Sequence, residues 1–224
     1  MIVRETEAIT LIGGARVARG DLRASLRLAP LVVAADGGAD TALDAGLSPR
    51  AVIGDFDSIT ATARARLPGD ILHTIDDQDT TDFEKCLARV EAPLIIGLGF
   101  TGDRLDHHMA ACNALVRHPE RRCLLLGAHD LMFLCPPVLS LPLEPGCRVS
   151  LFPMGAVEGA SDGLEWPIGG LNFAPDGRIG TSNRTTGPLS LSVTAPKMLV
   201  TLPAHTLETV ARALGACTAS WSAQ

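Results

Sequence analysis

The chain has 224 residues, of which 46% are hydrophobic and 20% are charged, and its formal net charge is −6. This composition is typical of a folded protein with a sizeable core, built as one large domain or two modest ones. Because the net charge is negative and no run is rich in lysine or arginine, the sequence argues against a nucleic-acid-binding protein.

The cysteines and the first residues bear on the cellular compartment. Six cysteines are scattered along the chain without a C-x-x-C pair. Neither a zinc site nor a disulfide framework is therefore predicted, and reduced thiols in the cytoplasm are expected. The opening segment, MIVRETEAIT, lacks the basic and then apolar layout of a signal peptide. No segment approaches the roughly 20 apolar residues that span a bilayer, so no membrane association is expected.

The first part of the chain alternates short apolar runs with segments of helical periodicity. Strands are predicted at residues 8–12, 31–35, 51–53, 71–75, 94–97 and 123–126. Helices are predicted between them at residues 21–28, 38–45, 60–67, 81–90 and 106–117. This alternation predicts βαβ units around a mainly parallel sheet.

The pattern changes near Pro136, after which glycine and proline recur every few residues. Strands are predicted there at residues 148–152, 189–193 and 198–202, with a helix at 206–214. Short strands separated by turn residues indicate a small antiparallel sandwich or barrel. We therefore predict an α/β domain over residues 1–135 and an all-β sandwich domain over residues 136–224.

Acidic residues follow or adjoin several predicted strands of the first part. They are Asp36, Asp55, Asp57, Asp77, Asp79, Asp82, Asp103 and Asp106. In an open α/β sheet, ligands bind beyond the carboxyl ends of the strands. Acids gathered there from several strands typically hold hard cations that carry phosphates.

The sharpest short motif is GDFDS at residues 54–58. On an extended segment, Asp55 and Asp57 point to the same side while Phe56 packs the other way. Two neighbouring carboxylates repel each other unless a cation or a basic group lies between them. The alternative is an acidic turn in which Asp57 or Ser58 caps the following helix.

The densest polar segment is DQDTTDFEK at residues 77–85. If a helix begins near Thr81, Asp82 and Lys85 lie on one face, one turn apart. Lys85 could then supply a point charge to phosphate oxygens. The alternative is a well-capped surface helix with an ordinary ion pair.

A glycine-containing segment, GFTGDRLDH, occupies residues 99–107. Arg104 offers a planar fork suited to phosphate, and Asp106 is an acid open to a metal ion. Although Gly97, Gly99 and Gly102 fit G-x-G-x-x-G, the match follows the fifth predicted strand rather than the first, which argues against a dinucleotide site. No G-x-x-x-x-G-K-[ST] motif occurs, so a P-loop kinase is excluded.

The β-rich part contains GLEWPIGG at residues 163–170 and TSN at residues 181–183. Trp166, in a chain without tyrosine, could stack on a flat or cationic ring. Ser182 and Asn183 carry donors and acceptors that match the edge of a heterocycle. The alternative is a core tryptophan and an ordinary Ser-Asn turn.

Taken together, the motifs resemble the thiamine diphosphokinase (thiamine pyrophosphokinase) family. The resemblance rests on ADGGA (35–39), GDFDS (54–58), DQDTTDFEK (77–85), GFTGDRLDH (99–107), GLEW (163–166) and TSN (181–183). It covers most of the chain, from residue 8 to residue 202. Each motif is weak alone, but six in this order are specific.

The resemblance implies a homodimeric enzyme that transfers the pyrophosphoryl group of ATP to thiamine with the help of Mg²⁺. It implies that the Mg²⁺–ATP site is lined by Asp36, Asp55, Asp57, Asp82 and Asp106, with Asp55, Asp57, Asp82 and Asp106 as metal ligands. Residues implied to contact phosphates or orient the nucleophile are Gln78, Thr81, Lys85, Gly102 and Arg104. Thiamine would be held by Trp166, Ser182 and Asn183, contributed by the partner subunit. The chain departs from the family pattern at Asp103, whose role is open, and at Pro167 after the tryptophan.

These expectations define a mechanism and two rivals. The thiamine hydroxyl would attack the β-phosphorus of ATP, with Asp57, Asp82, Lys85 and Arg104 as the main catalytic residues. The first rival is a phosphatase similar to the haloacid dehalogenases, with Asp55 as the nucleophile. The second is a non-catalytic sensor that binds thiamine or a nucleotide through the β-rich part.

Overall fold

The computed structural model describes residues 1–102 and 104–223, so Asp103 lies outside the described residues. The chain is a mixed α/β protein with a large sheet. It divides into two compact units: Met1–Ala114 with Leu125–Ala128, and Leu115–Leu124 with His129–Gln224. Among the described residues, no helix combines the length and the apolar character needed to cross a membrane.

The helices and strands are numbered in chain order. The helices are α1 (Arg19–Leu28), α2 (Gly38–Asp44), α3 (Ala61–Arg66), α4 (Asp82–Leu87), α5 (Leu105–Arg117) and α6 (Leu207–Ala216). The strands are β1 (Val3–Arg4), β2 (Ile9–Ile12), β3 (Leu31–Ala35), β4 (Val52–Gly54), β5 (Leu72–Thr74), β6 (Val90–Glu91), β7 (Ile95–Leu98), β8 (Cys123–Leu126), β9 (Asp130–Leu134), β10 (Val138–Leu141), β11 (Arg148–Pro153), β12 (Val157–Leu164), β13 (Asn172–Phe173), β14 (Gly180–Val193) and β15 (Met198–Pro203).

The first unit is built on strands in the order β7–β2–β3–β4–β5, and each neighbouring pair along this order is parallel. Ile9 of β2 lies opposite Leu31 on one side and opposite Ile95 on the other. The chain builds outward from β2 to β5 and then returns to place β7 on the other side of β2. The strand order therefore reverses between β2 and β7, and open α/β sheets bind ligands at such a switch point.

Apolar runs explain why these segments form buried strands. All four residues of β2 and all four residues of β7 are buried. Uninterrupted apolar sequence is typical of parallel strands that are covered on both faces. On one side, Ala34 and Val52 pack with Ile59 and Ala63, so the segment between β4 and α3 is anchored to the sheet.

The predicted helix at residues 81–90 is wrong at its C-terminal end. It begins as expected, with Thr81 as the N-cap, but α4 ends at Leu87. Val90 lies in β6 and pairs in parallel with Val3 of β1. Pairing with a segment far away in sequence has overridden local helical periodicity, which sequence patterns do not register.

The second unit contains antiparallel strand pairs in the order β13–β12–β14–β11–β15–β9, with β10 also paired to β14. The sequence predicted β11, β15 and the end of β14 but missed β9, β10, β12 and β13. In β12 (VEGASDGL) two glycines mask the alternation of a strand. The register of β14 against β11 shifts beside Ser182, whose φ of 60° marks an irregularity in the strand. The sandwich arrangement and the domain roles of residues 1–135 and 136–224 stay predictions.

Candidate active site

A pocket of about 680 Å³ lies in the first unit, at the carboxyl ends of the parallel strands. Its walls come from the segments that follow β2, β3, β4 and β7, together with the first turns of α4 and α5. The segments after β2 and β7 meet there, so the pocket occupies the switch point of the sheet. The backbone therefore brings these loop segments together at the edge of the sheet that the sequence predicted.

Three carboxylates converge at this edge. One oxygen each from Asp36, Asp55 and Asp57 lies within 4.8 Å of the other two. Asp36 follows β3 with a φ of 42°, and its Oδ1 accepts hydrogen bonds from the backbone N–H groups of Ile59 (2.7 Å) and Ser58 (3.2 Å). The turn after β4 is therefore tied to the end of β3, which brings the carboxylates of two strands together.

The second oxygen of Asp36 is the most unusual atom of this cluster. Asp36 is only 1% exposed, and its Oδ2 has no hydrogen-bond partner among the described residues. Burial, reinforced by the charge of Asp82, raises the pKa of the Asp36 carboxyl above its ordinary value. A buried carboxylate oxygen without a partner is costly unless a cation occupies the space in front of it. The carboxylate set suits a hard divalent ion such as Mg²⁺.

Lys85 is buried and joins two of the acidic motifs. Its ammonium donates to Oδ2 of Asp55 at 2.7 Å and to Oδ1 of Asp82 at 3.0 Å, and the side chain is only 2% exposed. Burial by itself lowers the pKa of Lys85, but the two carboxylates reverse this effect and the pKa is raised. In this arrangement Lys85 positions carboxylates rather than projecting freely towards a ligand.

The two carboxylates that bind Lys85 have opposite electrostatic character. The hydrogen bond from Lys85 lowers the pKa of Asp55. Burial raises the pKa of Asp82, and this effect outweighs the nearby ammonium. Asp82 is therefore the better proton acceptor of the pair, since its conjugate acid is the weaker one.

The remaining predicted metal ligand, Asp106, lies in the first turn of α5 and is paired with Arg104. The two side chains form a bidentate ion pair with N–O distances of 2.5 and 3.2 Å, and both are largely exposed. Neither Asp82 nor Asp106 belongs to the three-carboxylate cluster. Their roles as metal ligands stay predictions, and Asp36, predicted only to line the site, is the residue that completes the cluster.

The other predicted phosphate contacts differ in their placement. Thr81, Gly102 and Arg104 line the pocket. The Thr81 hydroxyl accepts the N–H of Glu84 at 3.4 Å and caps α4. Gln78 is exposed and is not among the pocket-lining residues, so its contact with phosphate stays a prediction.

The predicted thiamine residues lie in the second unit, where Asn183 has a structural task. Its amide accepts the backbone N–H of Trp166 at 3.3 Å and donates to the Trp166 carbonyl at 2.8 Å. Asn183 is buried, whereas Trp166 is 55% exposed. The Arg184 guanidinium lies 5.9 Å from the centre of the indole ring and also pairs with Glu165. Asn183 thus fixes the backbone that presents an exposed tryptophan.

Comparisons with known proteins identify the family. Residues 22–125 match the family described as thiamin pyrophosphokinase, catalytic domain. Thiamine pyrophosphokinase 1 of Oryza sativa subsp. japonica is 30% identical over 198 residues, covering 70% of this chain and 75% of the rice protein. The chain belongs to the thiamine pyrophosphokinase family. Membership makes it an enzyme with thiamine diphosphokinase activity and displaces the phosphatase and sensor alternatives.

Solved structures of thiamine pyrophosphokinases share this fold. The enzyme from Candida albicans superposes with a TM-score of 0.74 at 15% identity, covering 91% of this chain and 94% of that chain. The enzyme from Bacillus subtilis superposes with a TM-score of 0.71 at 22% identity, covering 88% and 98% of the two chains. At these identities the similarity concerns the fold.

Two parts of the pocket were missed in the sequence analysis. Ser58 lines the pocket, and its hydroxyl donates to Oδ1 of Asp57 at 2.7 Å. The segment from Gly14 to Arg16, directly after β2, also lines it. The Gly13-Gly14 turn gave no acidic signal, and only the pairing of β2 with β7 shows that Arg16 belongs to the site.

Proposed function

We propose that this chain transfers the pyrophosphoryl group of ATP to the primary hydroxyl of thiamine in a Mg²⁺-dependent reaction. The observation that carries the proposal is the convergence of Asp36, Asp55 and Asp57 beside a pocket at the switch point of a parallel sheet. A pocket of about 680 Å³ is in the range of small-molecule sites. Membership of the family supplies the two substrates.

Asp36, Asp55 and Asp57 are the residues that would hold the cation, and the unpartnered Oδ2 of Asp36 is the atom that most needs one. When bound, Mg²⁺ would neutralise charge on the phosphate oxygens and on the AMP leaving group. Asp82 and Asp106 remain candidate ligands from the sequence. Lys85 binds both Asp55 and Asp82, so it fixes the positions of these two carboxylates relative to each other.

In this reaction the protein mainly positions the two substrates and accepts one proton. The thiamine hydroxyl oxygen forms a bond to the β-phosphorus, the bond from that phosphorus to the oxygen bridging to the α-phosphorus breaks, and AMP departs with that oxygen. We assign acceptance of the hydroxyl proton to Asp82, which lines the pocket outside the three-carboxylate cluster and whose pKa is raised by burial; in this role it would not be a ligand of the cation. Arg104 and Thr81 line the same pocket, which supports a role for both in binding the phosphates.

For thiamine, we propose that Trp166 stacks on a ring of the substrate, with Ser182 beside it. The exposure of Trp166 and its fixed backbone support this role. We further propose that the protein is a homodimer in which the partner subunit contributes these residues to each site. We also propose that it is located in the cytoplasm.

The first test is to incubate the purified protein with ATP, MgCl₂ and thiamine and to quantify AMP and thiamine diphosphate together. Equimolar formation of both is expected. ADP with thiamine monophosphate would instead show transfer of the γ-phosphoryl group and would overturn the proposed attack at the β-phosphorus. Omission of Mg²⁺, with EDTA present, should abolish the reaction.

A further inference from the structure

Arg16 lies at the centre of the switch point, on a loop to which neither the motifs nor the proposed mechanism gave a role. It follows β2, which pairs with β7, and the loops that follow these two strands both line the pocket. On the β7 side the wall is formed by Gly99, Phe100, Gly102 and Arg104. Arg16 is exposed and lines the pocket from the β2 side.

The two loops are held together by backbone contacts. The N–H of Gly13 donates to the carbonyl of Leu98 at 2.7 Å, and the N–H of Ala15 donates to the carbonyl of Gly99 at 3.1 Å. A Cβ at Gly102 would come within 2.4 Å of the Cβ of Ala15, so only glycine allows this approach. The residue before Arg16 is therefore fixed against the β7 loop, which sets the point from which the arginine side chain extends.

Arg16 differs from the other cationic side chains of the pocket, Lys85 and Arg104, because those two are already paired with carboxylates. Lys85 is committed to Asp55 and Asp82, and Arg104 is paired with Asp106. Within residues 1–102 and 104–223, the structure gives Arg16 no ion pair and no side-chain hydrogen bond. Asp55 and Asp82 also line the pocket, so a polyphosphate that enters is repelled unless cations offset these charges.

We propose that Arg16 is a further substrate-binding residue, which recognises the phosphate groups of the nucleotide donor. The guanidinium offers two parallel N–H donors to phosphate oxygens and can approach them without breaking an ion pair to any residue that the structure describes. The inference deepens the proposed function, since it rests on ATP as the donor. It assigns the β2 loop to the nucleotide and not to thiamine.

The test is direct binding, measured by isothermal titration calorimetry in MgCl₂ without thiamine. Wild type, Arg16→Gln and Arg19→Gln are each titrated with ATP and with adenosine. Arg19 is a matched control, since it is exposed in the first turn of α1 and is not a pocket-lining residue. Arg16→Gln should bind ATP roughly 10- to 100-fold more weakly, as expected for a lost charged hydrogen bond, with unchanged adenosine affinity.

Other outcomes separate the failure of this inference from the failure of the proposed reaction. Unchanged ATP affinity in Arg16→Gln, or an equal loss for ATP and adenosine, would overturn the role of Arg16 even in an enzyme that makes thiamine diphosphate. The predicted loss for ATP alone would support it even if turnover yielded other products. Partial recovery in Arg16→Lys would further support a charge-dependent contact, and melting temperatures equal to wild type would show that the fold is intact.

Discussion

At the level of single residues, Asp36 shows how a candidate metal ligand can lower the stability of the fold. Its carboxylate is buried, one oxygen lacks a partner among the described residues, and its pKa is raised above 3.8. The folded chain therefore holds this proton more tightly than the unfolded chain does. The resulting destabilisation is absent below the ordinary pKa and is fully present above the raised one, which includes neutral pH.

We therefore predict that Asp36→Asn increases the free energy of unfolding at pH 7 without Mg²⁺, by about 1–2 kcal/mol, while most activity is lost. MgCl₂ should raise the melting temperature of wild type, because the cation binds the folded chain, and should have little effect on the variant. Thermal unfolding with and without MgCl₂ measures both effects. Asp44→Asn, an exposed change at the end of α2, is the control. An equal response to Mg²⁺ in Asp36→Asn would place the cation elsewhere.

At the level of elements, the pairing of β12 with β14 decides how Trp166 is presented. The N–H of Glu165 donates to the carbonyl of Arg184 at 2.9 Å, and the Asn183 amide binds both backbone groups of Trp166. The tryptophan side chain itself remains 55% exposed. An exposed aromatic ring on a fixed backbone loses little further freedom when it binds a ligand.

It follows that Asn183→Ala should raise the KM for thiamine about tenfold or more and leave the KM for ATP nearly unchanged. The loop would lose two hydrogen bonds to the buried amide, so the ring would sample more positions. Steady-state kinetics with each substrate varied in turn measures this split. Asn172→Ala, at an exposed site on β13, should change neither constant. Equal effects of Asn183→Ala on both substrates would show that Asn183 supports the fold in general.

At the level of the whole molecule, the proposed homodimer predicts complementation between two inactive chains. Asp57→Asn removes a carboxylate of the first unit, and Trp166→Ala removes the exposed ring of the second. If each site draws on both subunits, a dimer of the two variant chains has one intact site out of two, and about half of wild-type activity should return in that species. Co-expression of differently tagged chains and assay of the doubly purified species tests this. No activity above that of the parents would place each site within one chain.

Much of this molecule could be predicted from its sequence because several signals are local. Five parallel strands of the first unit lie within about a residue of their predicted bounds, since each is a short apolar run between turns or helices. Thr81 begins α4 as its capping chemistry requires. The site prediction was coarser. Asp55 and Asp57 do come close together, but through a turn in which Phe56 has a φ of 65° and not through the predicted extended segment, and Asp36 joins them. The predicted pairing of Asp82 with Lys85 on one helix face is confirmed.

The sequence by itself determined the family and the edge of the sheet at which the candidate site residues lie, because motifs and strand periodicity are local features of the chain. Only the tertiary structure decided which carboxylates converge, that Lys85 is buried between two of them, and that Arg16 shares a pocket with the β7 loop. It also ended α4 early, so that Val90 could pair with Val3. These outcomes depend on contacts between distant segments, whose energies outweigh local preference and leave no periodic trace in the sequence.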